Sequence, residues 1–227
     1  MSHPLRAPAL GWAFLKNLLG ESPRFILDVG ANDGGTSSVF QSLFDSVFVH
    51  AFEPDPRAIA NIENRLKLHK LDGSRFALHR CAVSNYDGDG EFFPSTGFHP
   101  GFPWYSTGYD LSGSLNRPLS SEYPGIPTIK FSEPFITPVV SLDRWANNHR
   151  LDRIDMIWMD LQGGELNAIR GGSDLVRKCD YIYLECEEER LVYENQPSRV
   201  EIEAHLPEHS LIAVFDDGNI LFRRNSI

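Results

Sequence analysis

The chain has 227 residues, enough for one compact domain with a sizeable core, and its composition is that of an ordinary globular protein, 41% hydrophobic and 23% charged. A formal net charge of −10 excludes broad, backbone-driven binding of nucleic acid, because that interaction needs a basic face. Three cysteines without CxxC spacing, Cys81, Cys179 and Cys186, point to reduced thiols and a cytoplasmic setting.

Residues 1–22 form a lead-in. The stretch 9–19 is apolar, but Lys16 and Asn17 interrupt it and it is far too short to cross a bilayer, so no membrane association is expected. Trp12, Leu15 and Leu19 recur at helical spacing and predict a short amphipathic helix packed on the domain. Apolar runs then follow at 24–29, 47–52 and 76–83. They are apolar nearly throughout, as expected for parallel strands covered on both faces. Between the first two runs, Val39, Phe40, Leu43 and Phe44 give a helical pattern. After the second, Asp55-Pro56 caps and opens a helix carrying Ile59, Ile62 and Leu66. Cys81 lies in the third run and Cys186 in the fifth, and both read as buried structural thiols.

Residues 93–137 break this rhythm. They are rich in Pro, Gly, Ser and aromatics, among them Phe98, His99, Phe102, Trp104, Tyr105 and Tyr109. So long a stretch without a regular period reads either as a surface excursion pinned by its aromatics or as a lid or wall for a bound molecule. The alternation resumes with apolar runs at 154–159 and 181–186. Leu166 and Ile169 lie between them, on a helix stopped by Gly171-Gly172. Glu187, Glu188 and Glu189 read as a solvated face. Ser198-Arg199-Val200-Glu201 is a capping box, and Asp216-Asp217-Gly218-Asn219 joins two apolar runs as a hairpin. The expected fold is one α/β domain over 1–227. Its doubly wound, mostly parallel seven-stranded sheet ends in an antiparallel hairpin, with helices on both faces.

The chemistry gathers where strands end. Asp28-Val29-Gly30-Ala31-Asn32-Asp33-Gly34 lies between the first strand and its helix, at the carboxyl edge where open α/β sheets bind ligands. Its G-x-x-x-G spacing is not the G-x-G-x-x-G that cradles a pyrophosphate. An acid at the strand end suits a cationic ligand, such as one carrying an amine and a sulfonium. Glu53, followed by Pro54, closes the second strand about 20 residues on, where a carboxylate takes both hydroxyls of a ribose. Cys81-Ala82 at the third strand would border the adenine. Asp160 closes the fourth strand in Asp160-Leu161-Gln162-Gly163-Gly164-Glu165, facing the first loop across the crevice. There it orients an acceptor, takes a proton or caps a helix, a role open to Glu165 as well. Glu185 is a third acid on this edge. His99 is a further candidate acid–base residue, and His50 reads as a core histidine. No HxxxH spacing occurs, though several acids on one edge leave room for magnesium.

Taken together, 26–34, Phe52-Glu53-Pro54, Ala82-Val83-Ser84, Val140-Ser141-Leu142-Asp143, Ile154-Asp155, 159–166 and 193–197 resemble the FkbM family of methyltransferases. The likeness runs from about Phe25 to the C-terminus. It implies a Rossmann-like fold, S-adenosylmethionine as methyl donor and S-adenosylhomocysteine as product. It further implies O-methylation of a small-molecule or glycan acceptor, a sugar or natural product. The cofactor residues would be Asp28, Gly30, Asn32, Asp33, Gly34, Glu53, Pro54, Cys81, Ala82 and Asp160. Asp160, His99 and Glu185 are the catalytic candidates. Two positions depart from the pattern: Trp158 stands where the family often has lysine, and Gln162 where it often has glutamate. The 93–137 stretch matches only around Gly113-Ser114-Leu115. Two rival readings are a nicotinamide-dependent oxidoreductase, which the loop spacing and Asp28 oppose, and a nucleoside-binding module without catalysis, which Trp158 and Gln162 leave open.

Overall fold

The computed structural model describes residues 4–101, 108–186 and 190–225. The chain opens with β1 (Leu5–Ala7) and α1 (Trp12–Leu19). It continues through β2 (Phe25–Val29), α2 (Gly35–Leu43), β3 (Phe48–Phe52), α3 (Pro56–Lys67) and β4 (Phe76–His79). Then come β5 (Ala82–Val83), β6 (Gly88–Phe92), β7 (Ser95–Gly97), β8 (Glu122–Tyr123), β9 (Ile126–Phe131) and β10 (Phe135–Val140). The last part holds α4 (Leu142–His149), β11 (Met156–Met159), α5 (Glu165–Gly171), α6 (Ser173–Val176), β12 (Tyr181–Glu185), α7 (Arg199–Ala204), β13 (His209–Phe215) and β14 (Asn219–Arg224).

The main sheet has the order β1-β13-β14-β12-β11-β2-β3-β4. Every adjacent pair is parallel except those that β14 makes with β12 and β13. Side chains alternate across a strand, so β2 sends Leu27 and Val29 into one core and Ile26 into the other. The first core is closed by Leu142 and Trp145 of α4, Ile169 of α5, Leu175 of α6 and Ile202 of α7. The second is closed by Leu15 of α1, Phe40 of α2 and Ile62 of α3. Two covered faces are why the central strands read as unbroken apolar runs.

The expected caps form. Asp55 accepts from the Arg57 amide at 2.9 Å, with Pro56 opening α3, and Ser198 and Glu201 make the capping box of α7. Asp155 tethers the opposite, amino-terminal edge of the sheet. Its carboxylate accepts from the amides of Arg24 at 2.7 Å and Phe25 at 2.8 Å, pinning the start of β2 to the approach of β11. Asp155→Ala should cost about 1–3 kcal/mol, the scale of leaving such amides unpaired. A lowered urea midpoint with unchanged ligand affinity is the expected result; an unchanged midpoint would contradict the tether.

Three expectations need correction. The main sheet has eight strands, because Leu5, Arg6 and Ala7 pair in parallel with Ala213, Val214 and Phe215. Backbone pairing at an exposed edge leaves no hydrophobic pattern to read. The run 76–83 is two strands: β4 ends at His79, and β5 turns into a separate sheet of order β5-β10-β6. The stretch 93–137 is not irregular throughout, since it contains β7, β8, β9 and the start of β10, with β7-β9-β8 as a third sheet. These strands are short and pair locally, with few buried positions, so alternation is weak. Helix α4 was not anticipated either. Its buried Leu142, Trp145 and Ala146 are outnumbered by polar neighbours.

Candidate active site

Strand order reverses around β2, so the crevice lies between the carboxyl ends of β2 and β11. The chain leaves β2 in a sharp turn. The amides of Gly30 and Ala31 both donate to the Phe52 carbonyl at 3.0 Å, and Asn32 and Gly34 take positive φ values of 46° and 74°. Gly30, at φ 87°, has a second constraint: a Cβ there would lie 1.9 Å from the Asp160 carbonyl oxygen. Glycine is required because the end of β11 presses on the turn, which sets both walls of the crevice.

Glu53 is buried at the end of β3. Its Oε2 accepts from the Asn32 amide and its Oε1 from the Asp55 amide, each at 2.8 Å. Burial outweighs these bonds and pushes its carboxyl up to about 8. Each oxygen keeps a further lone pair, and the residue lines a cleft of about 710 Å³, open mouth included. Gly30, Asn32, Pro54, Cys81, Ala82 and Asp160 line the same cleft. Cys81 is thus a half-buried wall residue, with its thiol pushed up to about 11 by burial. Cys186 is half-buried too, and Cys179 is the fully buried thiol.

Three predicted contact residues stand behind the loop. Asp28 is buried and accepts from the Ser37 hydroxyl, with burial raising its carboxyl to about 7. Asp33 pairs with Arg65 of α3. Gly34 caps α2 and packs on Ile62 and Leu71. None of the three lines the cleft. They shape the turn because Asp28 faces α2, and Asp33 and Gly34 face α3, instead of the crevice.

Asp160 is solvent-exposed because it faces the crevice, yet it lies deep in the protein, and that setting raises its carboxyl. Gln162 Nε2 donates to Asp160 Oδ1 at 2.8 Å and also to Glu185 Oε2. Glu185 does not line the first cleft. With Tyr123, Tyr193 and Gln196 it lines a second, smaller cavity of about 340 Å³, open mouth included, beyond Gln162. Glu165 is buried, accepts from the Leu161 amide at 2.7 Å, and has its carboxyl raised by burial to about 7. His99 stacks on Tyr109 and accepts from the Gly101 amide, outside both cavities. His50 contacts His79 at 3.2 Å beneath Trp145, a packed position that lowers its imidazole to about 4.

A strap at 110–116 supplies wall residues that the sequence did not reveal, among them Asp110, Leu111, Ser114 and Asn116. Asn32 Nδ2 donates to the Asp110 carbonyl at 3.1 Å. Ser114 donates to the Gln162 carbonyl at 2.9 Å and Asn116 to the Gly163 carbonyl at 2.7 Å. Tyr193 donates to the Ser112 carbonyl at 2.7 Å. Part of the stretch read as a lid or wall therefore borders the same cleft as Glu53. The loose match at Gly113-Ser114-Leu115 was the available signal. Phe102, Trp104, Tyr105 and Glu187 to Glu189 lie outside the described residues.

Among the described residues, the ionisable groups lining the two cavities are carboxyls, apart from one thiol in each and the tyrosines of the second. Glu53, Asp110 and Asp160 line the first, Glu165 and Glu185 the second, and no Lys, Arg or His lines either. Asn32 Oδ1 and Asp110 Oδ1 are buried without a partner. Such a lining offers acceptor oxygens to a cation and no basic group to a diphosphate. No cluster of three His, Cys, Asp or Glu suited to a metal ion occurs among the described residues, and none of their helices is long and apolar enough to cross a membrane.

A family model described as the methyltransferase FkbM domain matches residues 28–211. The chain is 36% identical over 217 residues to the 2-O-methyltransferase NoeI of Sinorhizobium fredii, covering 93% of this chain and 84% of that protein. It is 23% identical over 153 residues to Methyltransferase 1 of Beauveria bassiana, covering 66% of this chain and 59% of that protein. Among solved structures, methyltransferase FkbM from Methylobacillus flagellatus aligns with a TM-score of 0.55 at 15% identity, a likeness of fold. That alignment covers 89% of this chain and 43% of the other, so the chain spans less than half of that structure's length.

Proposed function

The chain belongs to the FkbM methyltransferase family and is an S-adenosylmethionine-dependent O-methyltransferase, and we propose that its acceptor is a sugar hydroxyl on a small molecule or glycan, with Asp160 as the proton acceptor. The relative NoeI is named for 2-O transfer, and a hydroxyl beside a ring carbon is the acceptor we carry over.

The observation behind the residue assignments is the carboxyl-lined first cleft, with Glu53 at the end of β3 and Asp160 across from it. These residues fit the donor. Glu53 has lone pairs left for two ribose hydroxyls, and the wall at Cys81 and Ala82 suits the adenine edge. Asn32 and Asp110 carry orphan oxygens in a cleft with no basic residue, as an ammonium and a sulfonium require. When bound, S-adenosylmethionine supplies a methyl group already activated on a positive sulfur. The protein's task is then alignment and proton removal. Asp160 would hold the acceptor hydroxyl at its carboxylate and receive its proton.

Two measurements test this. In titration calorimetry, S-adenosylhomocysteine should bind saturably while NAD produces no heat; tight NAD binding with no response to S-adenosylhomocysteine would sink the donor assignment. Tritium transfer from labelled S-adenosylmethionine to a panel of methyl glycosides should label at least one. Transfer only to non-sugar hydroxyls would replace the acceptor class.

A further inference from the structure

Gln162 is an unusual residue for its position. Its φ of 52° is a left-handed conformation that favours glycine, and glycine does follow it at 163. The strap holds it there through Ser114 on its own carbonyl and Asn116 on the next. A strained backbone so firmly held directs attention to what the side chain does. Among the described residues, Gln162 alone lines both the first cleft and the second cavity. Its amide nitrogen donates to Asp160 on one side and Glu185 on the other. The amide's orientation follows from that: turned over, its oxygen would face two carboxylates as a third acceptor. Its Oε1 therefore points toward the Tyr193 hydroxyl at 3.3 Å, and that hydroxyl donates more closely to Ser112 at 2.7 Å.

We propose that Gln162 is a positioning residue for methyl transfer, its amide bridging Asp160 and Glu185 at the partition where donor cleft and acceptor cavity meet. This rests on the methyltransferase reading above and deepens it. The acceptor oxygen enters from the side of Glu185 and Tyr193. It forms the O–C bond as the C–S bond breaks, the electron pair stays on sulfur, and the hydroxyl proton passes to Asp160. A neutral amide serves here where a third carboxylate would not. The two N–H groups each reach one oxygen of the two acids, which also hydrogen-bond each other directly, and so fix the geometry of the pair and favour its ionised form. The other titratable groups facing this pair are Asp28 from β2, Glu165 from α5, Tyr183 from β12, and Tyr109 and Tyr193. Arg190 is a cation stacked over Tyr123, which lines the second cavity.

The left-handed backbone makes a discriminating variant available. Gln162→Gly relieves the conformation and removes the whole side chain, its amide included, so the melting temperature should hold or rise. Turnover on methyl glycosides should fall roughly tenfold or more, the scale of a misplaced proton acceptor. The acidic limb of its pH profile should move to higher pH, because the ionised acids lose a donor. Affinity for S-adenosylhomocysteine should stay within about twofold, since Gln162 is not assigned to hold the donor. Gln162→Asn, which tolerates the same backbone but is one methylene short, should follow the glycine variant. Turnover within twofold of wild type with an unmoved acidic limb would overturn the proposal. If no methyl glycoside is turned over, carbon-13 titration of the side-chain carboxyls decides. An upward shift of the Asp160–Glu185 pair in Gln162→Gly supports the bridge, and unmoved titrations overturn it. Failure of wild type to bind S-adenosylhomocysteine would instead count against the methyltransferase reading itself.

Discussion

Replacing Asp160 with asparagine should lower the turnover number by roughly 10²–10⁴-fold, the usual scale for losing a positioned proton acceptor. The fold and most of the donor affinity should survive. Asparagine has the same shape and still accepts from Gln162, so the loop keeps its bridge to the side of β11. What it lacks is a site for the proton. The competing role, a cap for α5, has little support in the geometry. The residue before that helix is Gly164, no side chain caps it, and Glu165 satisfies the Leu161 amide instead. A third role, holding magnesium, separates cleanly: wild-type activity would then vanish with a chelator and return with the metal. Turnover of wild type and Asp160→Asn, each with and without chelator, distinguishes the three. Near-wild-type turnover in the mutant would remove Asp160 from the mechanism and move the search to Glu185, which Gln162 bridges to it.

Glu53→Ala should weaken S-adenosylhomocysteine binding about tenfold to a hundredfold, because the two hydrogen bonds to the ribose hydroxyls together contribute roughly 1–3 kcal/mol. The alanine also strips acceptors from the Asn32 and Asp55 amides. Glu53→Gln is therefore the companion variant, since it keeps one carbonyl oxygen and the volume. An unchanged dissociation constant in both folded variants would refute the ribose assignment. Glu53 also makes a pH prediction. Burial raises Asp28 to about 7, Glu53 to about 8 and Glu165 to about 7 in the native protein, whereas unfolding returns such carboxyls to about 4. The native state thus binds more protons than the unfolded one between these values. The stability these groups contribute is full below about pH 4 and is lost as pH rises through about 7–8. The melting temperature of the donor-free protein should fall between pH 5.5 and 8.5, and Glu53→Gln should flatten part of that slope. A melting temperature that rises over this interval would show that the buried acids stay ionised.

Much of this protein was legible in one dimension because the relevant signals are local. A parallel strand covered on both faces must be apolar along its length, so β2, β3, β11 and β12 announced themselves, and the caps of α3 and α7 are readable within four residues. That Glu53 and Asp160 line the cleft was legible for a related reason. In an open α/β sheet the chemistry collects at strand ends, and a strand's end is a sequence position. Partnership was not legible. That Asp28 turns to Ser37, that Asp33 pairs with Arg65, and that the strap at 110–116 bridges both loops all depend on contacts between residues 9 to 78 positions apart. The eighth strand escaped because an edge pairs through its backbone and leaves no side-chain pattern. Gln162 read as a mere departure from a family motif. Only the folded chain brings Glu185, 23 positions further on, to the other side of its amide. That arrangement arises because β11 and β12 are parallel neighbours whose ends meet at one edge.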